Sequence, residues 1–190
     1  MRASDEELMR RCREGDMSAF ELIVLRYEDA IFNFIYRFIA DYHRAQDISQ
    51  ETFLRVLRNV DRYKSRNSFK TWLYKIAVNL CKNELRDRGR RRTLSLDDPA
   101  MGIESLAGNH YITPDRVYER EEMTRLVKDA VGLLPEDQRM AIIMREYQDL
   151  SYEEIASALN CSLGAVKSKI YRARQNIKKM LMEMEVEVGS

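Results

Sequence analysis

The final long segment of the chain gathers positive charge in one place. Residues 162–181 read SLGAVKSKIYRARQNIKKML, with six lysines and arginines and no carboxylate. The whole chain, by contrast, is nearly neutral, with 32 basic and 31 acidic residues. No acid occurs between Glu154 and Glu183. A surface that contacts phosphates needs such an acid-free face, although a charge run alone is also typical of a solvated helix.

The spacing around this segment predicts a helix-turn-helix. Ser151 and Glu154 have the spacing of a capping box, so they predict the start of a short helix. The turn NCS follows, and Ser162 is placed to cap a longer helix. In that helix, four apolar residues fall at offsets of zero, four, seven and eleven and predict one buried stripe. They are Val166, Ile170, Ala173 and Ile177.

The second helix of such a motif can enter the major groove, where basic side chains meet phosphates or guanine edges. We therefore expect the residues outside the buried stripe, together with the capping serine of the preceding helix, to face DNA. A solvated basic face on an ordinary helical hairpin is the alternative. The expected DNA-facing residues are Ser151, Lys167, Ser168, Tyr171, Arg172 and Arg174.

A second basic stretch, from about residue 61 to residue 92, is interleaved with aromatic residues. Single-stranded DNA suits this combination, because cations follow its backbone and rings or pockets receive unstacked bases. Other roles stay open for two of these residues: Trp72 also fits a helical core stripe, and Ser68 also fits a helix cap. The interleaved residues are Tyr63, Lys64, Arg66, Phe69, Lys70, Trp72, Tyr74 and Lys75.

No residues are spaced for catalysis or for a metal. Glu153 and Glu154 are adjacent at a helix start and are explained by capping. His43 and His110 have no cysteine or histidine at ligand spacing. We expect no enzymatic activity, no cofactor and no metal. The three cysteines lie far apart, which suits a reducing cytoplasm; Cys161 is expected to be a small buried residue, with a redox-sensing thiol as the alternative.

Composition favours an all-α fold of two small helical domains. The chain has 45% hydrophobic residues, seven glycines and three prolines, and it is rich in helix-forming residues. A long helix is predicted from Met17 to Ile39, Asp41 is predicted to cap the next, and another begins near Phe69. Residues 93–113 read as a flexible linker; an ordered loop is the alternative. No apolar run approaches the length of a membrane span, so we expect a cytoplasmic protein without membrane insertion of its own.

Two stretches resemble bacterial sigma factors of the extracytoplasmic-function (ECF) group. Residues 134–181, from LPEDQRMAII to IKKML, look like sigma region 4, which binds the −35 promoter element. DISQETFLRV is similar to the region 2 helix that docks on the clamp helices of the polymerase β′ subunit. The resemblance covers about 5–92 and 114–181. It implies region 2 over 1–92, a linker over 93–113 and region 4 over 114–190.

The resemblance also implies roles for individual residues of region 2. On the DISQETFLRV helix the expected polymerase contacts are Asp47, Gln50, Glu51 and Arg55; a hydrated helix surface is the alternative. Region 2 would also recognise and open the −10 element and capture a flipped base, a role carried over above all to Asn79. The expected −10 residues are Lys64, Arg66, Asn67, Ser68, Trp72, Asn79, Asn83, Arg86 and Arg90.

The implied function is transcription initiation by an alternative sigma factor. Its partners would be the β′ clamp helices and β flap of core RNA polymerase, promoter DNA in double- and single-stranded form, and an anti-sigma factor. A DNA-binding regulator that never contacts polymerase is the rival hypothesis. It would need a dimer interface or a ligand pocket, and neither is evident in the sequence.

Overall fold

The computed structural model describes residues 3–64, 68–94 and 115–188, without the side chains of 91–94, 115–122 and 184–188. Within these ranges the regular structure is entirely helical, which confirms the predicted all-α fold of two domains. A 3₁₀ turn, Val60–Arg62, precedes the fourth helix. The α-helices are α1 (Asp5–Arg13), α2 (Met17–Ile39), α3 (Tyr42–Arg58), α4 (Phe69–Leu94), α5 (Asp115–Gly132), α6 (Glu136–Glu146), α7 (Tyr152–Leu159) and α8 (Leu163–Val188).

Side-chain caps fix where several helices begin. Asp16 accepts hydrogen bonds from the first-turn amides of α2, and Asp41 accepts one from the Arg44 amide at the start of α3. Ser151 and Glu154 form both halves of the predicted capping box on α7. Each cap satisfies an amide that has no partner inside its helix, so these polar residues determine the helix starts.

The first domain is a bundle of α1 to α4 built around α2. Ile31, Phe34 and Ile35 are fully buried on one stripe of α2, where the neighbouring helices converge. The side of α4 that carries Leu73, Tyr74 and Ala77 is also buried. Burial of each large apolar side chain contributes roughly 1.5–3 kcal/mol, so this packing fixes the rotation of α4 about its axis.

A buried carboxylate ties α3 to α4. Glu84 is 7% exposed and accepts hydrogen bonds from Arg44, at 2.5 Å to Nη2, and from Arg88, at 2.9 Å to Nε. Arg88 also donates to Asp41 over 2.9 Å, so the cap of α3 belongs to the same network. The hydrogen bond from Arg44, followed by that from Arg88, lowers the pKa of Glu84 despite its burial.

The second domain consists of α5 to α8, with α7 and α8 as the helix-turn-helix. Val166, Ile170 and Ala173 are at most 1% exposed, and Ile177 is half-buried, as the predicted stripe requires. Asn160 ends α7 in the left-handed region, at φ 54°, which turns the chain toward α8. Ser162 caps the start of α8 by accepting from the Ala165 amide.

The two domains pack against each other, which the prediction of two domains on a flexible tether did not include. Helix α4 lies against α7, and α2 lies against α6. The apolar core is continuous across this seam. The predicted linker, 93–113, lies outside the described residues except for its first two, which end α4.

Replacing Glu84 with glutamine should destabilise the first domain by about 2 kcal/mol, because charge-assisted hydrogen bonds to two arginines become weaker neutral ones. The pKa of Glu84 is lowered by folding, so its contribution is complete above the unfolded pKa and is lost as the pH falls through the folded pKa. Denaturant unfolding across acidic pH should therefore show that the wild type loses stability there more steeply than Glu84→Gln does.

The matched control is Glu7→Gln, since Glu7 also pairs with an arginine and has a lowered pKa but lies on the surface. Its unfolding midpoint should barely move. Equal losses in the two variants would mean that the Glu84 network adds nothing beyond an ordinary surface pair.

Candidate nucleic-acid and polymerase interfaces

A groove opens between the end of α3, the 3₁₀ turn and the exposed side of α4. Three cations, two asparagine amides, an indole and one aliphatic side chain line it. Cationic groups can hold a phosphate backbone, and an indole with amides can receive a base. The lining residues are Arg55, Asn59, Arg62, Trp72, Lys75, Ile76 and Asn79.

Trp72 combines the two roles that its sequence position left open. Its ring packs against Tyr63, with centroids 5.2 Å apart, and against Phe69 at 6.1 Å. The ring is nevertheless only half-buried and lines the groove. Tyr63, Phe69 and Tyr74 are at most 4% exposed, so these three aromatic residues belong to the core and are not free to stack on bases.

Two of the predicted −10 residues, Asn79 and Asn83, occupy different environments. Asn79 is exposed and lines the groove. Asn83, one turn later, is half-buried, and its Oδ1 accepts from Arg86 over 3.2 Å. Arg86 and Arg90 are exposed farther along α4, and Arg90 lies 3.7 Å from Asp87. Of the two asparagines, only Asn79 lines the groove.

The polar loop ahead of α4 is described only at its edges. Lys64 is exposed. Ser68 is exposed and caps α4, because its Oγ accepts from the Thr71 amide over 3.3 Å. Arg66 and Asn67, both expected to contact the −10 element, lie outside the described residues.

The outer face of α3 carries the predicted polymerase residues. Asp47 and Gln50 are exposed, and Glu51 is half-buried. Arg55 donates to Glu51 over 2.8 Å and also lines the groove, so it joins this face to the groove. The prediction missed Leu54, which is 44% exposed on the same face. Its spacing of four residues from Gln50 could have indicated it.

The exposed side of α8 carries most of the predicted −35 residues. Lys167, Ser168, Tyr171 and Arg172 are all exposed, and Tyr171 is 65% exposed. Arg174 is also exposed, but it donates to Glu146 of α6 over 2.6 Å, which raises its pKa. Ser151 is half-buried as the cap of α7. Lys167, Ser168, Tyr171 and Arg172 therefore form an exposed polar and cationic surface of α8 that a ligand could contact.

A largely apolar groove, not anticipated from the sequence, crosses the second domain between α5, α6 and the end of α8. Basic and acidic side chains stand at its edge. Leu181 and Met182, apolar residues near the end of α8, were a signal of it in the sequence. The groove is lined by Val127, Val131, Ile142, Glu146, Tyr147, Arg174, Ile177, Lys178, Leu181 and Met182.

No group of three or more potential metal ligands, and no helix both long and apolar enough to cross a bilayer, occurs among the described residues. Cys12 and Cys81 are buried, and burial is the main cause that raises the pKa of Cys81 to about 12. Cys161 is half-buried in the turn of the helix-turn-helix.

Comparison with known proteins matches each domain to a family model. The family model for Sigma-70 region 2 matches residues 23–91, and that for Sigma-70, region 4 matches residues 124–177. The RNA polymerase sigma-H factor of Pseudomonas aeruginosa is 40% identical over 184 residues, which is 95% of each chain. The ECF RNA polymerase sigma-E factor of Escherichia coli K12 is 38% identical over 178 residues, or 92% of each chain. The chain belongs to the ECF sigma factors.

Solved structures agree with this assignment. The sigma factor RpoE of Bartonella quintana, solved in complex with the anti-sigma factor NepR, is 26% identical with a TM-score of 0.71, over 86% of this chain and 96% of that one. CnrH, solved with the cytosolic domain of CnrY, shares the fold with a TM-score of 0.70 at 21% identity, over 95% of this chain and 99% of that one. This ECF sigma factor therefore directs core RNA polymerase to promoters through regions 2 and 4.

Proposed function

We propose that this sigma factor contacts polymerase with the outer face of α3, opens the −10 element at the groove between α3 and α4, and reads the −35 element with α8. The observation that carries the proposal is the arrangement of region 2. One helix, α3, presents a largely polar face outward, while Arg55 near its end lines a groove that also contains Trp72 and Asn79. Polymerase docking would thus hold the groove over DNA.

At the −10 element, the groove has the groups that strand opening needs. Arg62 and Lys75 can hold the phosphates, the free edge of Trp72 can stack on a base, and Asn79 can hydrogen-bond a base edge. Extruding a base costs a few kcal/mol, which contacts of this kind offset. Arg86 and Arg90 extend the positive surface along α4 toward the upstream duplex.

At the −35 element, α8 enters the major groove with Lys167 and Arg172 toward phosphates or base edges. Each contact alone is weak. On one rigid polymerase the −10 and −35 contacts act together, because binding at one element raises the effective concentration at the other. This is why we assign promoter recognition to the holoenzyme, in which the chain would have a non-catalytic role.

The polymerase contacts fall on two surfaces. Asp47, Gln50 and Glu51 precede the exposed Leu54 on α3 by seven, four and three residues, so polar side chains lie beside an exposed apolar one, a combination found at protein interfaces. This face would meet the β′ clamp helices. The apolar groove of region 4 would receive the β flap, since an apolar helix or loop tip fits a groove of that lining.

Control by an anti-sigma factor, in the cytoplasm where polymerase acts, completes the proposal. Its support is the relative from Bartonella quintana, whose structure contains an anti-sigma factor. The same exposed apolar features, Leu54 and the region 4 groove, would suit an inhibitor that competes with polymerase.

The first test is co-elution of the chain with core RNA polymerase on a sizing column. Stoichiometric co-elution is expected, and the paired change Gln50→Ala with Glu51→Ala should weaken the affinity at least about tenfold, or about 1.4 kcal/mol. The control pair is Glu28→Ala with Asp29→Ala, adjacent exposed residues of α2. Equal loss in both pairs would remove α3 as the specific contact.

Asn79→Ala should impair promoter opening by about tenfold, because a base-edge hydrogen bond is formed only with the extruded base. Closed-complex formation should change little. Fluorescence of 2-aminopurine in the −10 element measures opening, and filter binding at low temperature measures the closed complex. Asn83→Ala is the matched control, since Asn83 bonds Arg86. Equal losses in both steps for Asn79→Ala would contradict a base-capture role.

Lys167→Ala should weaken holoenzyme binding to promoter duplex and reduce the dependence of log affinity on log salt by about one. Lys179→Ala provides the control, because Lys179 is an exposed lysine near the other end of the same helix. Binding measured by anisotropy over a salt series distinguishes them. An unchanged slope for Lys167→Ala would show that α8 does not face phosphates there.

A further inference from the structure

A cluster of aromatic rings supports the groove between α3 and α4 from behind. Trp72, which lines the groove, packs against Tyr63 with ring centres 5.2 Å apart and against Phe69 at 6.1 Å. Tyr63 and Phe69 also meet edge to face, with centres 5.9 Å apart, and both are at most 4% exposed. These two buried rings therefore set the orientation of the half-buried indole.

The 3₁₀ turn that leads into Tyr63 is weakly fixed by its own residues. The turn, Val60–Arg62, has no side-chain cap, and none of its three residues is buried. A 3₁₀ turn also has poorer hydrogen-bond geometry than an α-helix. Yet this segment serves the groove twice, because Arg62 lines it and Tyr63, the next residue, supports Trp72. Contacts with other elements must therefore fix its position.

Arg13, the last residue of α1, makes such a contact. Its Nη2 donates a hydrogen bond to the main-chain oxygen of Tyr63 over 2.8 Å, across 50 residues of sequence. Helix α1 also lies against the 3₁₀ turn. A hydrogen bond from a charged guanidinium is stronger than one between neutral groups. Arg13 therefore ties the turn to α1.

The start of α1 is anchored to the same aromatic cluster. Asp5 accepts a hydrogen bond from the Tyr27 hydroxyl over 2.5 Å, and the Tyr27 ring packs on Phe69 with centres 5.4 Å apart. Burial, followed by the hydrogen bond to Asp5, raises the pKa of Tyr27, so this hydroxyl stays protonated and donates. Helix α1 thus reaches the cluster at both ends, through Asp5 and through Arg13.

Helix α1 lies outside the parts of the chain assigned to DNA. None of the residues that line the groove belongs to α1. The match to the region 2 family model begins at residue 23, after this helix has ended. Helix α1 can therefore act on the groove only through the residues that it holds.

We propose that Arg13 is a positioning residue for −10 opening: its bond to the Tyr63 main chain holds Arg62, and the ring behind Trp72, where an extruded base is received. The inference rests on the −10 role proposed for the groove. Small displacements of a binding group reduce rates strongly, because the contacts form only at the correct geometry. Loss of the bond should act on opening and spare the closed complex, in which no base is extruded.

The deciding variant is Arg13→Ala in the full chain, and Arg10→Ala is its matched control. Both arginines are exposed on α1, but the ion pairs of Arg10 are with Glu7 and Glu14 of the same helix and its C-cap. Arg13→Lys tests rescue, because lysine keeps a charged donor at this position.

Trp72 is the one tryptophan of the sequence, so tryptophan fluorescence of the free chain reports on the groove. Acrylamide quenching measures how accessible the indole is. In the holoenzyme, 2-aminopurine in the −10 element measures opening, and filter binding at low temperature measures the closed complex. Chemical denaturation gives the unfolding midpoint of each variant.

Arg13→Ala should increase the quenching of Trp72 and slow opening about fivefold, with the closed complex unchanged. Arg13→Lys should recover most of the opening rate. Arg10→Ala should match the wild type in quenching, opening and closed-complex formation. A purely structural role for Arg13 would instead lower the unfolding midpoint and leave opening at the wild-type rate in the folded variant.

Wild-type quenching in Arg13→Ala would overturn the support of Trp72 by Arg13. Increased quenching with wild-type opening, or an equal loss of opening in Arg10→Ala, would overturn the positioning role. If Arg13→Ala does not fold, the pair Arg13→Gln and Arg10→Gln repeats the comparison under the same criteria.

Failure of the −10 assignment itself has a separate signature. Asn79→Ala would then open promoters at the wild-type rate, because the groove that Asn79 lines would have no part in opening. That result would overturn the positioning role together with the assignment. The quenching of Trp72 in Arg13→Ala would still decide whether Arg13 holds the ring.

Discussion

The burial of one side of α4 is the constraint on which the rest of the structure depends. Leu73, Ala77 and Val78 are fully buried, so the helix cannot rotate without exposing them. This fixed rotation leaves Lys75 and Asn79 facing outward along the groove. The position of the candidate −10 surface is therefore a consequence of core packing. Functional side chains on such a helix can vary without disturbing the fold, because they contribute little to the buried area.

The polar network around Glu84 extends this constraint to α3. Apolar packing alone allows two helices to slide, but a buried carboxylate held by two arginines allows only one register. Arg55 makes a second link, from Glu51 on the outer face of α3 to the groove beside α4. A partner that binds the outer face thus acts on a residue that also lines the groove. Under the proposed function, this one side chain would link docking to strand opening without a rearrangement of the helices.

Local patterns predicted the helices well. The bounds of α2, the capping role of Asp41 and the buried stripe of α8 follow from periodicity and cap chemistry, which act within a few residues. The ion pair between Arg174 and Glu146 spans 28 residues and leaves no such signal. The burial of Gln148 leaves no signal in the sequence either, because a glutamine that follows a helix is typical of an exposed loop. Contacts between elements distant in sequence depend on packing that periodicity does not encode.

The seam between the domains and the candidate DNA surfaces are built from the same kinds of side chain. A chain that must hold phosphates at two places carries cations on both domains, and packing those domains together brings cations such as Arg37 and Lys128 near each other. At the seam, aromatic rings face Arg37 and Arg139, and a main-chain oxygen accepts from Lys70. The residues at the seam therefore orient the two domains through directional contacts, because each cation meets a ring or a main-chain oxygen that the other domain supplies.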